Sequence, residues 1–185
     1  REIVVPQDDS VMQYSPAHLQ PIRIRRARGF APNYYPHPFT LAGSWLAAGA
    51  ELKSSFALLD GEQCYVSQFL GNQEYFEGQI AYKETLHHLS GLLKFSPDFI
   101  ISDSHPGYFV SEEARQMALE KKIPCIEVQH HKAHFAAVLA ENKLMDTEDP
   151  VLGIIWDGTG YGEDRQIWGS ECFLYANRKM ERVSH

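Results

Sequence analysis

The sequence predicts an α/β protein, a mixed sheet with flanking helices that cover its parallel strands. Three features carry that expectation. Between residues 45 and 70, short apolar runs are separated by tight-turn residues, as in paired antiparallel strands. From residue 74 to 142, helical and strand-like segments alternate, the pattern of crossover units in a sheet. After residue 150 the hairpin pattern begins again, which suggests a second copy of the same kind of unit.

The elements follow in order. Trp45 to Ala50 is a short apolar run, and Ser54 to Leu59 reads as a strand. Asp60-Gly61 offers a hairpin turn, and Gln63 to Leu70 returns. Glu74 to Leu93 sets Phe76, Ile80, Leu86, Leu89 and Leu93 at roughly helical spacing despite Gly78. Phe99-Ile-Ile101 is a buried type of strand that ends at Asp103-Ser-His-Pro-Gly-Tyr108. Ser111-Glu-Glu-Ala114 opens a second helix with a hydroxyl and carboxylates in its first turn. Ile123 to Val128 is the next strand and leads into a third helix. Beyond the loop from Met145 to Pro150, Val151 to Trp156 and Ile167 to Tyr175 read as strands joined by a glycine-rich turn. The predicted order is βββαβαβα and then a β-hairpin. Residues 1 to about 40 are proline-rich and read differently: Arg1 to Val5 as a strand, Asp8 to Val11 as a turn, Pro21 to Pro38 as a tail or linker between domains.

Composition excludes some functions. A chain of 185 residues, 44% hydrophobic and 22% charged, can build one good core and part of a second domain. A net charge of −7 argues against a general nucleic-acid or anionic-membrane binder. No run approaches the ~20 apolar residues that span a bilayer, and no secretory signal opens the sequence. Cys64, Cys125 and Cys172 are scattered without CxxC spacing, which suits a reducing cytoplasm. A start at Arg1 and an end at Glu181-Arg-Val-Ser-His185, which reads as the middle of a strand or loop, lead us to expect a piece of a longer protein.

The third helix carries the leading site. His130 and His134 stand four residues apart and project from one helical face, where two imidazoles can share a metal ion. His131 lies about 100° round the helix and belongs to another environment. Phe135, Val138 and Leu139 offer an apolar face for docking on a sheet. Histidine pairs on helices also occur as ordinary surface or core residues, so the rest of the chain must support the reading.

Asp157-Gly158-Thr159-Gly160-Tyr161-Gly162 provides that support. Glycines permit positive φ and let backbone N–H groups turn inward on an anion; the threonine hydroxyl can add a bond, and Asp157 can hold a metal near a phosphate. A plain hairpin with an Asp-Gly turn is the competing reading. If the two hairpins faced each other, Lys53 would add a point charge to the phosphate site, although a solvated strand-end lysine is the commoner case. Asp103 and His105 follow the carboxyl end of a buried strand, where ligands collect in open α/β sheets, but His105-Pro106-Gly107 is equally turn chemistry. Arg23, Arg25, Arg26 and Arg28 form either an anion grip or a solvated charge run.

Asp8-Asp-Ser-Val11, Ile24-Arg-Arg-Ala-Arg-Gly29-Phe-Ala-Pro32, Gly49-Ala-Glu-Leu-Lys53, Val128-Gln-His-His-Lys-Ala-His134 and the Asp157 loop, in that order over nearly the whole chain, resemble the HypF family, the carbamoyltransferases of nickel–iron hydrogenase maturation. The resemblance implies a YrdC-like domain followed by a Kae1-like domain of the actin, sugar-kinase and Hsp70 superfold. Residues 1–30 would then be the end of the former with its linker, 31–150 the first half of the latter, and 151–185 the first hairpin of its second half. It implies that carbamoyl phosphate and ATP yield carbamoyl adenylate, whose carbamoyl group passes to the C-terminal cysteine of the acceptor protein HypE, towards the cyanide ligands of the metal centre. His130 and His134 match the family's metal ligands, for zinc or iron. Asp157, Gly158, Thr159 and Gly160 match its second phosphate loop, and a further carboxylate ligand is expected beyond residue 185. Three departures stand out: Lys132 takes the place of a third histidine, Arg165 and Ser170 replace glycines in the stretch Gly162 to Glu171, and Gly71-Asn-Gln-Glu74 lacks the usual acidic pair. Two other functions compete, a Kae1-type threonylcarbamoyl transferase acting on tRNA and a non-catalytic module that docks a partner.

Overall fold

Prolines do not keep the first forty residues from pairing. The computed structural model describes residues 3, 5–17, 20–37 and 41–185. In it β1 (Val11–Ser15) and β2 (Gln20–Arg25) form an antiparallel ribbon, with Tyr14 opposite Pro21. A two-stranded ribbon has free edges, where a residue lacking an N–H is tolerated. β3 (Tyr34–Pro36) then pairs with a strand of the main sheet. The stretch from Pro21 to Pro38 is therefore not a free linker, at least as far as His37. Arg26 ties it down by donating to the carbonyls of Val66, Ser67, Phe30 and Asn33, and Phe69 N–H returns a bond to Arg26 O. The strand expected at Arg1 to Val5 lies largely outside the described residues; Ile3 and Val5 are not in a strand, and Asp9 makes a bridge to Arg28.

The alternation read from residue 45 onward folds as β4 (Trp45–Ala47), β5 (Ala57–Asp60), β6 (Gln63–Val66), α1 (Phe76–Leu93), β7 (Phe99–Asp103), α2 (Phe109–Lys121), β8 (Cys125–Val128) and α3 (His130–Glu141). The sheet order is β3-β6-β5-β4-β7-β8, antiparallel from β3 to β4 and parallel between β4 and β7. This is the mixed sheet the sequence predicts. Leu58, Ile100 and Phe56 pack against α1 through Tyr82, Leu86 and Leu89, a stripe at helical spacing. The stripe of α2 is small, Val110, Ser111, Ala114 and Ala118, so that helix can approach closely.

Contact density divides the chain into two units, Arg1–Ser102 with Pro106–Ile126, and Asp103–His105 with Glu127–His185. In the second, β9 (Val151–Ile155), β10 (Gly160–Tyr161), β11 (Ile167–Trp168), β12 (Glu171–Ala176) and β13 (Lys179–Ser184) follow α3. β9, β12 and β13 form an antiparallel sheet in the order β13-β12-β9, and β10 pairs with β11 as a small ribbon. The returning strand expected as one run from Ile167 to Tyr175 is thus broken at Gly169-Ser170. β13 has no strong pattern in the sequence. It forms because Asn177 and Arg178 both adopt positive φ, 52° and 59°, the geometry of a two-residue hairpin turn. Phe135, Leu139, Ile155, Trp168, Phe173 and Tyr175 make this unit's own core.

Candidate metal centre

The site grows from the start of α3. Gln129 is its N-cap, in extended conformation, and its side-chain Oε1 accepts the N–H of Lys132. From there His131, Phe135 and Leu139 form the buried stripe, one residue in four. Val138, expected on that face, is half-exposed. His130 and His134 occupy the neighbouring stripe and turn their Nε2 atoms towards each other at 3.1 Å.

Asp157, just past β9, supplies the third group. Its Oδ2 lies 2.9 Å from His130 Nε2 and 3.5 Å from His134 Nε2. These three atoms sit within 4.8 Å of one another. Two ligands of a tetrahedral zinc are about 3.3 Å apart, as metal–ligand bonds of ~2.0–2.1 Å require. The spacing therefore suits one ion.

Hydrogen bonding strengthens the fit. Asp103, at the end of β7 and buried, accepts from His130 Nδ1 at 3.1 Å through Oδ2, while its Oδ1 accepts the N–H of His105 at 2.8 Å. With its proton on Nδ1, neutral His130 presents a lone pair at Nε2. That lone pair faces a carboxylate oxygen, Asp157 Oδ2, which is buried and makes no hydrogen bond among the described residues. Two electron-rich atoms so placed need a proton or a metal cation between them. The donor set, two imidazoles and a carboxylate, fits zinc or iron(II).

The titration shifts agree. His130 is raised above its ordinary 6.5, first by the bond to Asp103, against its own burial, with further help from the charges of Asp103 and Asp157. Burial alone would push the Asp157 carboxyl up, but the Gly158 N–H and the charges of His130 and His134 outweigh it and hold it below its usual range. His131 is lowered, chiefly by burial.

The glycine loop follows a different logic from the expected one. None of Gly158, Gly160 and Gly162 takes up a positive φ. Gly160 and Gly162 are needed for close approach: a Cβ at 160 would lie 2.9 Å from His131 Nδ1, and one at 162 would meet Asp164 Oδ1 at 2.6 Å. Gly158 and Thr159 are exposed, and Gly158 N–H donates to Asp157 Oδ1 at 2.7 Å. Lys53 sits in the first unit, exposed, with its N–H bound by Asn72 Oδ1. The candidate ligands all come from the second.

The arginine group is taken up within the protein. Arg25 pairs with Asp8 at 2.9 Å, Arg28 with Asp9 at 3.5 Å, and Arg23 donates to Tyr35 Oη at 2.8 Å. Together with the carbonyls held by Arg26, these contacts make the cluster a clasp for the amino-terminal ribbon. Asp103 was visible in the sequence through its place at a strand end. Gln129 was not, because glutamine is no favoured N-cap. Lys132 pairs with Glu163, so where the resemblance implies a third histidine this chain has an ion pair.

Residues 40–141 match the HypF Kae1-like domain, and residues 153–185 match the second subdomain of the carbamoyltransferase Kae1-like domain. Carbamoyltransferase HypF of Synechocystis sp. is 42% identical over 185 residues, all of this chain and 23% of the relative. The chain therefore spans about a quarter of that protein's length. A crystal structure of full-length HypF in the phosphate- and nucleotide-bound form superposes with a TM-score of 0.83 at 32% identity, covering 96% of this chain and 27% of that one. HypF of T. kodakarensis gives 0.83 at 37% identity, over 97% and 23%. The first family match alone takes in more than half of the 185 residues, and both HypF crystal structures share the fold, so the chain belongs to the HypF Kae1-like domain family.

Proposed function

We propose that this chain is the metal- and nucleotide-binding part of a cytoplasmic carbamoyltransferase that serves nickel–iron hydrogenase maturation. The observation that carries the reading is the convergence of His130, His134 and the otherwise unbonded Asp157 oxygen in a chain of the HypF family. The curated relative is a carbamoyltransferase, and the superposed full-length HypF holds phosphate and nucleotide, which supports ATP or its carbamoyl adenylate as the ligand here.

His130, His134 and Asp157 would hold one divalent metal, zinc or iron, with Asp103 keeping the His130 ring in place. Such an ion supplies Lewis-acid polarisation of a phosphate or carbamoyl oxygen. Exposed Thr159, beside Gly158, would offer its N–H and hydroxyl to the adenylate phosphate. The nucleophile is external: the C-terminal cysteine thiolate of a HypE-like acceptor attacks the carbamoyl carbon. A C–S bond forms as the C–O bond to the adenylate breaks, and adenosine monophosphate leaves with the electron pair. Cys64, Cys125 and Cys172 of this chain are only partly exposed and take no part.

The test uses the full-length protein with His130→Ala and His134→Ala. Carbamoyl phosphate-dependent adenylate formation persists in both, while carbamoylation of the acceptor cysteine, read by peptide mass, is lost. Undiminished carbamoylation in either variant would overturn the reading.

A further inference from the structure

We propose that Gln129 and His131 form a clamp that sets the distance between the Asp157 loop and the His130/His134 pair. The inference deepens the metal-site reading and rests on it for its purpose, although the clamp itself is built without any ion. The three candidate ligands come from two chain segments, α3 and the loop after β9. Ligands from separate segments share one ion only if those segments hold register to about half an ångström.

One buried side chain spans both. Gln129 Oε1 accepts the Lys132 N–H at 3.0 Å, inside the first turn of α3. Its Nε2 donates to the carbonyl of Tyr161 at 3.0 Å, in β10 at the far end of the loop. The two backbone partners fix which way the amide points, since an N–H can be met only by oxygen and a carbonyl only by N–H. The second amide hydrogen then goes to His131 Nδ1 at 2.8 Å, which must accept it. All three polar groups of the carboxamide are in use.

His131 supplies the other half. Its ring is 0% exposed and forms the surface on which the loop rests: a methyl group at position 160 would overlap Cε1. Its ring also meets the Gly169 backbone, and its Nε2 is buried. Among the described residues neither side chain hydrogen-bonds to Asp157, His130 or His134, so both are positioning residues. An N-cap alone would use only Oε1, and a core histidine alone would need no glutamine.

Gln129→Glu separates these roles. A carboxylate still accepts the Lys132 N–H, and the helix start favours its charge, but it has no N–H for Tyr161 or His131. His131→Asn keeps an acceptor oxygen near the Nδ1 position, whereas His131→Leu removes it. In the full-length protein these three are compared with wild type and with His130→Ala. The readouts are amide hydrogen exchange over residues 158–162 without metal, and zinc affinity against a chromophoric chelator. Gln129→Glu and His131→Leu are expected to speed loop exchange and to weaken zinc binding about 10- to 100-fold, the cost of losing support around a ligand. His131→Asn stays near wild type, and α3 amides in Gln129→Glu stay protected. Unchanged loop exchange in Gln129→Glu, or exchange raised equally along α3, overturns the clamp. If wild type binds zinc no better than His130→Ala, the metal reading falls by itself and loop exchange still decides the clamp. Where His131→Leu fails to fold, Gln129→Glu decides.

Discussion

Asp103 reaches His130 from the end of β7 and thereby determines which imidazole nitrogen faces Asp157. Both of its oxygens are committed, one to His130 and one to the His105 N–H. An asparagine in its place would have a single acceptor oxygen for two donors. Asp103→Asn is therefore expected to weaken zinc binding by the full-length protein, and Asp103→Ala to weaken it more, within about 10- to 100-fold. An affinity for Asp103→Ala equal to wild type would remove Asp103 from the site. Arg165 makes a stability prediction of another kind. It holds φ at 65°, in the left-handed region, at a position where the family resemblance expects glycine. Arg165→Gly relieves a conformation that costs an L-residue roughly 1 kcal/mol, offset in part by glycine's freedom in the unfolded chain. A higher urea midpoint is the expected result, and a lower one would mean that the Arg165 side chain contributes more than its backbone costs.

At the scale of elements, α3 and β9 fit through one aromatic ring. A Cβ on Gly153 would come within 2.5–2.7 Å of three Phe135 ring carbons. Gly153→Ala overpacks that contact and is expected to cost about 1–3 kcal/mol, measured by denaturant unfolding, with a parallel loss of zinc affinity as Asp157 shifts. Unchanged affinity would mean that β9 absorbs the methyl without moving its end. This contact also shows what the sequence could and could not reveal. The helical spacing in α1 and α3 and the buried run of β7 made these elements legible, as was the pairing of His130 with His134, but Phe76, Ile80 and Val138, read on the apolar faces, are exposed. β1, β2 and β3 were not, because their stability comes from partners far along the chain and from Arg26, not from any local period. Asp157 could be placed near phosphate and metal by its loop, but Gly160 beside it makes room for His131, and Gly162 for Trp168 and Asp164. Those neighbours become visible only once the chain has folded.

At the scale of the whole molecule, protons and metal compete for the same three atoms. No helix among the described residues is long and apolar enough to cross a membrane. Without metal, His130 binds a proton more tightly folded than unfolded, so its contribution is complete below its ordinary 6.5 and is lost as pH rises through the raised folded value. Asp157 is shifted the other way: its contribution is present above its ordinary 3.8 and is lost as pH falls through the depressed folded value. The metal-free protein therefore gains from both groups between 3.8 and 6.5, and it loses the His130 part as pH rises through that histidine's raised folded value. Metal binding reverses the trend, because the ion needs the Nε2 lone pair that the proton occupies. Zinc affinity should rise with pH through the raised His130 value and level off above it. At a free zinc concentration 100 times the dissociation constant, stabilisation reaches about 2.7 kcal/mol. Thermal unfolding with and without zinc, from pH 5 to 8, should thus give curves whose separation widens with pH. In His130→Ala and Asp157→Ala the separation should vanish. A separation that narrows with pH in the wild type would show that the cluster binds its proton and its metal at different atoms.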